Sequence, residues 1–357
     1  MKMATGGCVR AKRNLKSMGL TGFRLVATSA RLLVYVGACI APLAPVAADS
    51  VGGDSRSQVP AWMFPIVPAA SGKPAAAVST EPLHVPNSSV GLTQAQLENK
   101  FSAPDWRPHS HPAMPEIVAH GRAPEVFACG YCHSPSGQGR PENASLAQLP
   151  AAYIVQQMAY FKAGVRHSAS ATYGPAAGMA KLAAAANSEE VAAAAEYFSH
   201  QTLRPRVKVF ESATVPRTTV VGYVYVAIPG AADEPIGERV IEVAPDGERH
   251  EKRDDELRYT AYVPPGSVSR GRAMATTVGS NALACVACHG DKLQGVGLVP
   301  PLAGRSPTYI LRQLLAFQTG ARAGETAKPM LAVVAPLHMG DMIDAAAYAA
   351  SLSPLSP

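Results

Sequence analysis

The sequence predicts a mainly α chain: two helical domains in tandem, a small β-rich insert between them and a disordered N-terminal tether. Three observations carry that expectation. One five-residue pattern, C-x-x-C-H, occurs twice, as Cys129-Gly130-Tyr131-Cys132-His133 and Cys285-Val286-Ala287-Cys288-His289. A shift of 156 residues lays the first run on the second and continues without a gap. It places Tyr153-Ile154 on Tyr309-Ile310, Gln157 on Gln313, Phe161 on Phe317, Gly164 on Gly320 and Arg166 on Arg322, an internal repeat. Between the copies lie runs rich in β-branched and aromatic residues, whereas the chain before them is rich in Pro, Ala, Ser and Gly. The divisions that follow are a leader over 1–48, a Pro/Ala-rich linker over 49–100, a first helical domain over 101–201, the insert over 202–265 and a second helical domain over 266–357.

Taken in order, the leader is basic and free of acids: Lys2, Arg10, Lys12, Arg13, Lys16, Arg24 and Arg31 precede an apolar run, Leu32–Ile40. Val46-Ala47-Ala48 supplies small residues for cleavage, so the segment reads as a secretory signal. An uncleaved leader would instead tether the chain to a membrane, although Pro42 and Pro45 interrupt the apolar stretch. Val36-Gly37-Ala38-Cys39 also resembles a lipoprotein box. Without those seven bases, 25 basic residues face 26 acidic ones. The formal charge of +6 therefore belongs to the leader, and nucleic acid is excluded as a partner. Cys8 and Cys39 lie in the leader, so the four motif cysteines are the whole thiol content of the mature chain, which suits an oxidising compartment.

The 49–100 linker lacks any period and reads as a tether, and 101–114, with Trp106-Arg107-Pro108 and His109-Ser110-His111-Pro112, reads as a wrapping loop. Tyr153–Lys162 and Tyr309–Gln318 have apolar residues at helical spacing, stopped by Gly164 and Gly320. Final helices start near Ser188 and Gly340, and Ser188-Glu189-Glu190 reads as an N-terminal cap with acids in the first turn. In the insert, 218–228, 239–243 and 257–263 are expected as three strands of a small antiparallel patch.

C-x-x-C-H is the attachment pattern of a c-type haem. Two thiols, Cys129 and Cys132 or Cys285 and Cys288, form thioethers with the vinyl groups, and His133 or His289 sits under the iron. A single Cys₄ zinc site is the competing reading; about 150 residues between the pairs and a histidine after each argue against it. A thioredoxin-like pair lacks its βαβ setting. For a sixth ligand the candidates are Met158, His167 and Met179 in the first copy and Met330, His338, Met339 and Met342 in the second. Past the gapless span the shift falls to 151, and only Met179 and Met330 then coincide, each expected in a loop just before the final helix of its copy. A shared thioether points to ligation, which favours Fe(II) and closes the iron to substrate, whereas a lone Met is usually core. Arg166 and Arg322 could neutralise haem propionates or be solvated surface residues. Tyr153 and Tyr309 could bond a propionate or serve the core. A carbonyl in Pro300–Gly304 is expected to accept from His289, and one near Ser145–Ala147 from His133.

With the P-x-L-A-G segment at Pro300–Gly304, the Tyr-Ile-x-x-Gln helices, the Phe-x-x-Gly-x-Arg ends and a Met before each last helix, the sequence resembles bacterial class I cytochromes c. The tandem arrangement is similar to di-haem periplasmic cytochromes. The resemblance spans roughly half of the chain and implies helical domains each wrapped round one haem c, two covalent haems in all. It implies an exported carrier that passes electrons between redox partners such as a dehydrogenase, an oxidase or a quinol-oxidising complex, with no catalysis of its own. The alternatives are a cytochrome subunit of a membrane-associated complex and a di-haem peroxidase, which would need one iron without its methionine.

Overall fold

The computed structural model describes residues 59–67, 80–277 and 284–354; the leader expected over 1–48 lies outside them. The first half contains α1 (Gln94–Glu98), α2 (Glu116–Ala119), α3 (Cys129–His133), α4 (Ala151–Lys162), α5 (Gly174–Ala185) and α6 (Ser188–Ser199). A strand-rich stretch follows: β1 (Val207–Glu211), β2 (Thr214–Val215), β3 (Thr218–Val221), β4 (Val224–Ala227), β5 (Glu234–Pro235), β6 (Ile241–Ala244), a helical turn α7 (Gly247–Glu251) and β7 (Tyr259–Val263). The second half holds α8 (Ser267–Thr276), α9 (Val286–His289), α10 (Pro307–Gln318), α11 (Lys328–Val334) and α12 (Met339–Ser351). No single helix among the described residues is long and apolar enough to cross a membrane.

Each half builds its core from the helix after its motif and its last helix. In the first, Ile154 of α4 packs with Ala194, Ala195, Tyr197 and Phe198 of α6 and with Ile117 and Val118 of α2. In the second, Ile310, Leu311 and Leu315 of α10 meet Met342, Ile343, Ala346 and Ala347 of α12. Helix α8 crosses α12 so closely that a Cβ at Gly271 would lie 1.9 Å from the Asp344 carbonyl oxygen, so only glycine fits. Arg270 locks that crossing, donating to both Asp344 carboxylate oxygens at 2.7 and 2.9 Å. The cap of α6 is Asn187, paired with Glu190 in a reciprocal box, so Ser188 is the first helical residue rather than the cap.

Strand content exceeds the small antiparallel patch expected from sequence. Five strands form one mixed sheet in the order β1-β7-β6-β4-β3, with β1/β7 and β4/β6 parallel. The run 218–228, expected as one strand, is a hairpin: Val221 pairs with Val224, and Gly222, at φ 58, makes the two-residue turn between them. The chain enters by β1 and leaves by β7 at its side, running the same way. Val240 and Val263 join the second half's core.

The tether expectation over 49–100 fails for the described residues. Met63 is fully buried and Phe64 nearly so, both in the core of the second half, and Tyr225 donates to the Trp62 carbonyl at 2.9 Å. Val85 and Leu97 close on Trp106, while Thr93 and Gln96 cap α1 reciprocally. A few widely spaced apolar residues suffice because their partners are distant in sequence.

Residues 249–259 fold back onto the first half. Trp106 Nε1 donates to the Lys252 carbonyl at 2.7 Å, and Asp255 accepts from Ser136, Arg107 and Arg204 at 2.6, 2.7 and 2.8 Å. Arg206 donates to the Gly139 and Leu257 carbonyls. Beneath them Arg140 pairs with Glu142 at 2.9 Å, and His250, 1% exposed, lies 3.0 Å from the Tyr259 hydroxyl and 3.6 Å from Glu142. Burial, the largest influence, opposes the Glu142 charge, but Arg140 together with His250, a backbone hydrogen bond and Arg253 outweighs it and holds the carboxyl below its usual range. For His250 burial wins and pulls the ring to about 4.

That sets a stability window. Above about pH 6.5 the ring is neutral folded and unfolded, and its contribution is full; as pH falls towards 4 the unfolded chain binds the proton first, and up to about 3 kcal/mol is lost. Melting curves from pH 7 to 4.5 are expected to fall steeply for the wild type and distinctly less for His250→Gln.

Candidate haem sites and the seam between them

Each C-x-x-C-H run forms one tight helical turn, which brings the two thiols to one side and aims the histidine inward. None of the four motif cysteines is paired in a disulfide, which leaves both members of each pair for thioether bonds. The His133 Nδ1 lies 2.8 Å from the Ala144 carbonyl oxygen, and the His289 Nδ1 lies 2.8 Å from that of Pro300, so each ring donates there and keeps Nε2 for a metal. Ala144 and Pro300 are repeat equivalents, as are the bonds from Gly139 N to the His133 carbonyl and from Gly295 N to that of His289. Burial lowers both imidazoles from their ordinary value, which keeps them in the neutral, ligating form.

Both histidines line one continuous cavity of about 2020 Å³, its open mouth included, together with Met179 and Met330. The methionines, expected in loops, lie instead within α5 and α11. The alanine-rich stretch around Met179 and the apolar stretch around Met330 are themselves helix formers, and each helix carries a proline in its first turn.

The seam between the halves is the part the sequence repeat did not disclose. Arg166 and Arg322 form an antiparallel backbone bridge, flanked by bonds from His167 N to the Ala321 carbonyl at 2.8 Å and from Ala323 N to that of Val165 at 2.9 Å. Their guanidinium groups cross over. Arg166 donates to the Tyr309 hydroxyl at 3.1 Å, and Arg322 donates to the Tyr153 hydroxyl at 2.6 Å. The Gln157 side-chain oxygen accepts from Arg166 at 2.8 Å and from Arg322 at 2.9 Å, while that of Gln313 accepts from the same pair at 3.2 and 3.1 Å. Arg166 also stacks on Phe161 at 4.6 Å and Arg322 on Phe317 at 4.4 Å. The Phe-x-x-Gly-x-Arg pattern thus has a local meaning: glycine at φ 72 or 75 turns the chain so that the arginine returns over its phenylalanine.

These residues fit a haem. Arg166, Arg322, Arg305 and Arg312 are buried, line the cavity and make no ion pair among the described residues, although Arg312 lies near enough to the buried Glu242 carboxyl to favour its charge. Arg305 is held only by the carbonyls of Pro301, Ser145 and Ala147, and burial draws it down to about 10. Burial and then the neighbouring Arg322 lower Arg166. The Tyr173 hydroxyl, also in the lining, is buried without a hydrogen-bond partner among the described residues. Unpaired interior cations call for anions, which haem propionates are. Sequence reasoning missed Arg305, Arg312 and Tyr173, whose contacts are long-range, and saw Gln157 and Gln313 only as matched positions.

No family model matches the chain. It is 32% identical over 238 residues to the thiosulfate dehydrogenase electron acceptor of Thiomonas intermedia (strain K12), spanning 66% of this chain and 82% of that protein. It is 40% identical over 68 residues to cytochrome c-554(548) of Halomonas halodenitrificans, 19% of this chain and 82% of that one. A solved thiosulfate dehydrogenase (TsdBA) from Marichromatium purpuratum aligns with a TM-score of 0.45 and 26% identity over 66% of this chain and 39% of its own. The chain belongs to the di-haem class I cytochromes c. It carries two covalent haem c groups and passes electrons between redox partners.

The crossed seam predicts its own energetics. In a double-mutant cycle read by urea unfolding, Tyr153→Phe and Arg322→Gln are expected to couple by about 1.5–3 kcal/mol, as a hydrogen bond to a charge does. Tyr153→Phe with Arg166→Gln, two residues of the same half, is expected to couple less.

Proposed function

We propose that the chain is exported to the periplasm and accepts electrons from a dehydrogenase acting on a reduced sulfur compound, then hands them to a further redox protein. In this reading 101–201 and 266–357 are the two haem domains and 202–265 is an insert between them. The observation that carries it is the shared cavity, lined by His133, His289, Met179, Met330 and four arginines that make no ion pair among the described residues. The electron-acceptor name of the Thiomonas relative supports the donor class.

Cys129 and Cys132, and Cys285 and Cys288, would hold the haems, whose iron supplies one-electron redox chemistry. His133 and His289 would each supply one ligand, their orientation fixed by the Ala144 and Pro300 carbonyls. Met179 and Met330 would supply the second; a His/Met set leaves no position for substrate, and so the chain would act as a carrier rather than a catalyst. Arg166, Arg322, Arg305 and Arg312 would hold the propionates, with Tyr153 and Tyr309 fixing the first two arginines. Positive charge there disfavours Fe(III) and raises the potentials.

Met179→Ala and Met330→Ala are each expected to remove one of two Met–iron absorption signatures and to lower one of two potentials in a redox titration; a variant with both potentials intact refutes the assignment at that site. Mixed with thiosulfate and a thiosulfate dehydrogenase, the oxidised chain is expected to become reduced, and with thiosulfate alone to stay oxidised. Reduction by thiosulfate alone would make the chain itself the enzyme.

A further inference from the structure

The two motif faces are equivalent by repeat and opposite in exposure. In the first copy the loop after the motif, closed by the Arg140–Asn143 bridge, lies under the strand-rich stretch. Arg253 stacks on the Tyr131 ring at 3.9 Å and bonds its hydroxyl, Arg140 donates to the His250 carbonyl, and Pro141 and Glu142 are buried. In the second copy the matching loop is closed by the Val296–Val299 bridge, and nothing among the described residues covers it. Cys288 is exposed there, where its equivalent Cys132 is half-buried. Val296 and Leu298, at 58% and 56%, are the two most exposed large apolar side chains among the described residues. They occupy the positions of Arg140 and Glu142, the ion pair beneath the cover of the first copy.

We propose that the 287–298 face of the second copy is the docking port for the redox partner, and that residues 249–259 seal the corresponding face of the first. The proposal rests on Cys285 and Cys288 being a haem attachment pair, since the exposed Cys288 then brings the haem edge to this side. The occupant is a second redox protein with an apolar, weakly charged contact surface. The covered copy shows that this face accepts a protein element. The open copy replaces the buried ion pair with two aliphatic side chains, and its adjacent exposed charges, Asp291 and Lys292, cancel. A contact of that kind gains its affinity from apolar burial and has little long-range steering.

The test uses the haem-loaded full chain, chemically reduced and mixed by stopped flow with either azurin, a small blue-copper protein with an apolar patch over its copper, or ferricyanide. For Val296→Asp with Leu298→Asp, oxidation by azurin is expected to slow by about tenfold or more while the ferricyanide rate is unchanged, the loss of one strong contact. Val296→Ser with Leu298→Ser, which adds no charge, is expected to slow azurin in the same direction. The wild-type azurin rate is expected to change by less than about threefold between low and high salt. Unchanged azurin rates in both variants, with haem absorption and ferricyanide oxidation intact, overturn the port and leave electron carriage standing. A wild-type dimer in sedimentation that either variant dissolves also overturns it, by making the face a contact between two copies of this chain.

Discussion

The structure depends on a repulsive pair held in place. Arg166 and Arg322 lie buried against each other at the junction of the halves, with only neutral oxygens from Gln157, Gln313, Tyr153 and Tyr309 as side-chain partners. Taking such ions out of water costs several kcal/mol each even after relaxation, and neutral partners return only part of it. On the proposed function, haem propionates in the cavity that the guanidinium groups line would supply the remainder. Other features of the seam serve this arrangement. The backbone bridge sets the register of the two loops, and each phenylalanine supports its arginine from behind. Helices α4 and α10 present tyrosine and glutamine four residues apart, on one face, where both can meet the incoming charges.

Against this symmetric interior the exterior is lopsided, and the strand-rich stretch makes it so. It contributes Val240, just before β6, and Val263 of β7 to the core of the second half, yet its 249–259 segment makes polar contacts with the first. Asp255 gathers Ser136, Arg107 and Arg204 from three separate places in the chain. Buried ion pairs of this sort are poor evidence for stability, because desolvation consumes most of the attraction. Their geometry is better evidence for registry: each bond is satisfied only when the segment sits on the first half in one position. A single element thereby fixes one half and leaves its repeat equivalent open.

How far the sequence discloses this depends on the range of the contact. The motif turns, the helices after them and the glycine stops were legible because each is local and each occurs twice. The hairpin at Gly222 was not, since a two-residue turn inside a β-branched run leaves the apolar pattern unbroken. Met179 and Met330 were selected by equivalence, which says nothing of local shape, so their helices came as a correction. Trp62, Met63 and Phe64 looked like incidental residues of a linker because their partners lie far along the chain. The crossing of Arg166 to Tyr309 and Arg322 to Tyr153 was hidden for another reason. A repeat shows that two positions are equivalent, but a position and its copy offer the same partners, and only the fold decides whether contacts stay within a half or cross.

That crossing has a consequence for how the two sites act. Had each arginine bonded its own tyrosine, each half would set its own charge environment. Because the partners are exchanged and both glutamine oxygens are shared, any shift of one guanidinium alters the bonds of the other. An anion that stabilises Arg166 also lessens its repulsion of Arg322, and the converse holds by the reciprocity of linked equilibria. If these arginines hold the propionates as proposed, the two sites would be coupled through four neutral side chains and two cations, without any need for the halves to move.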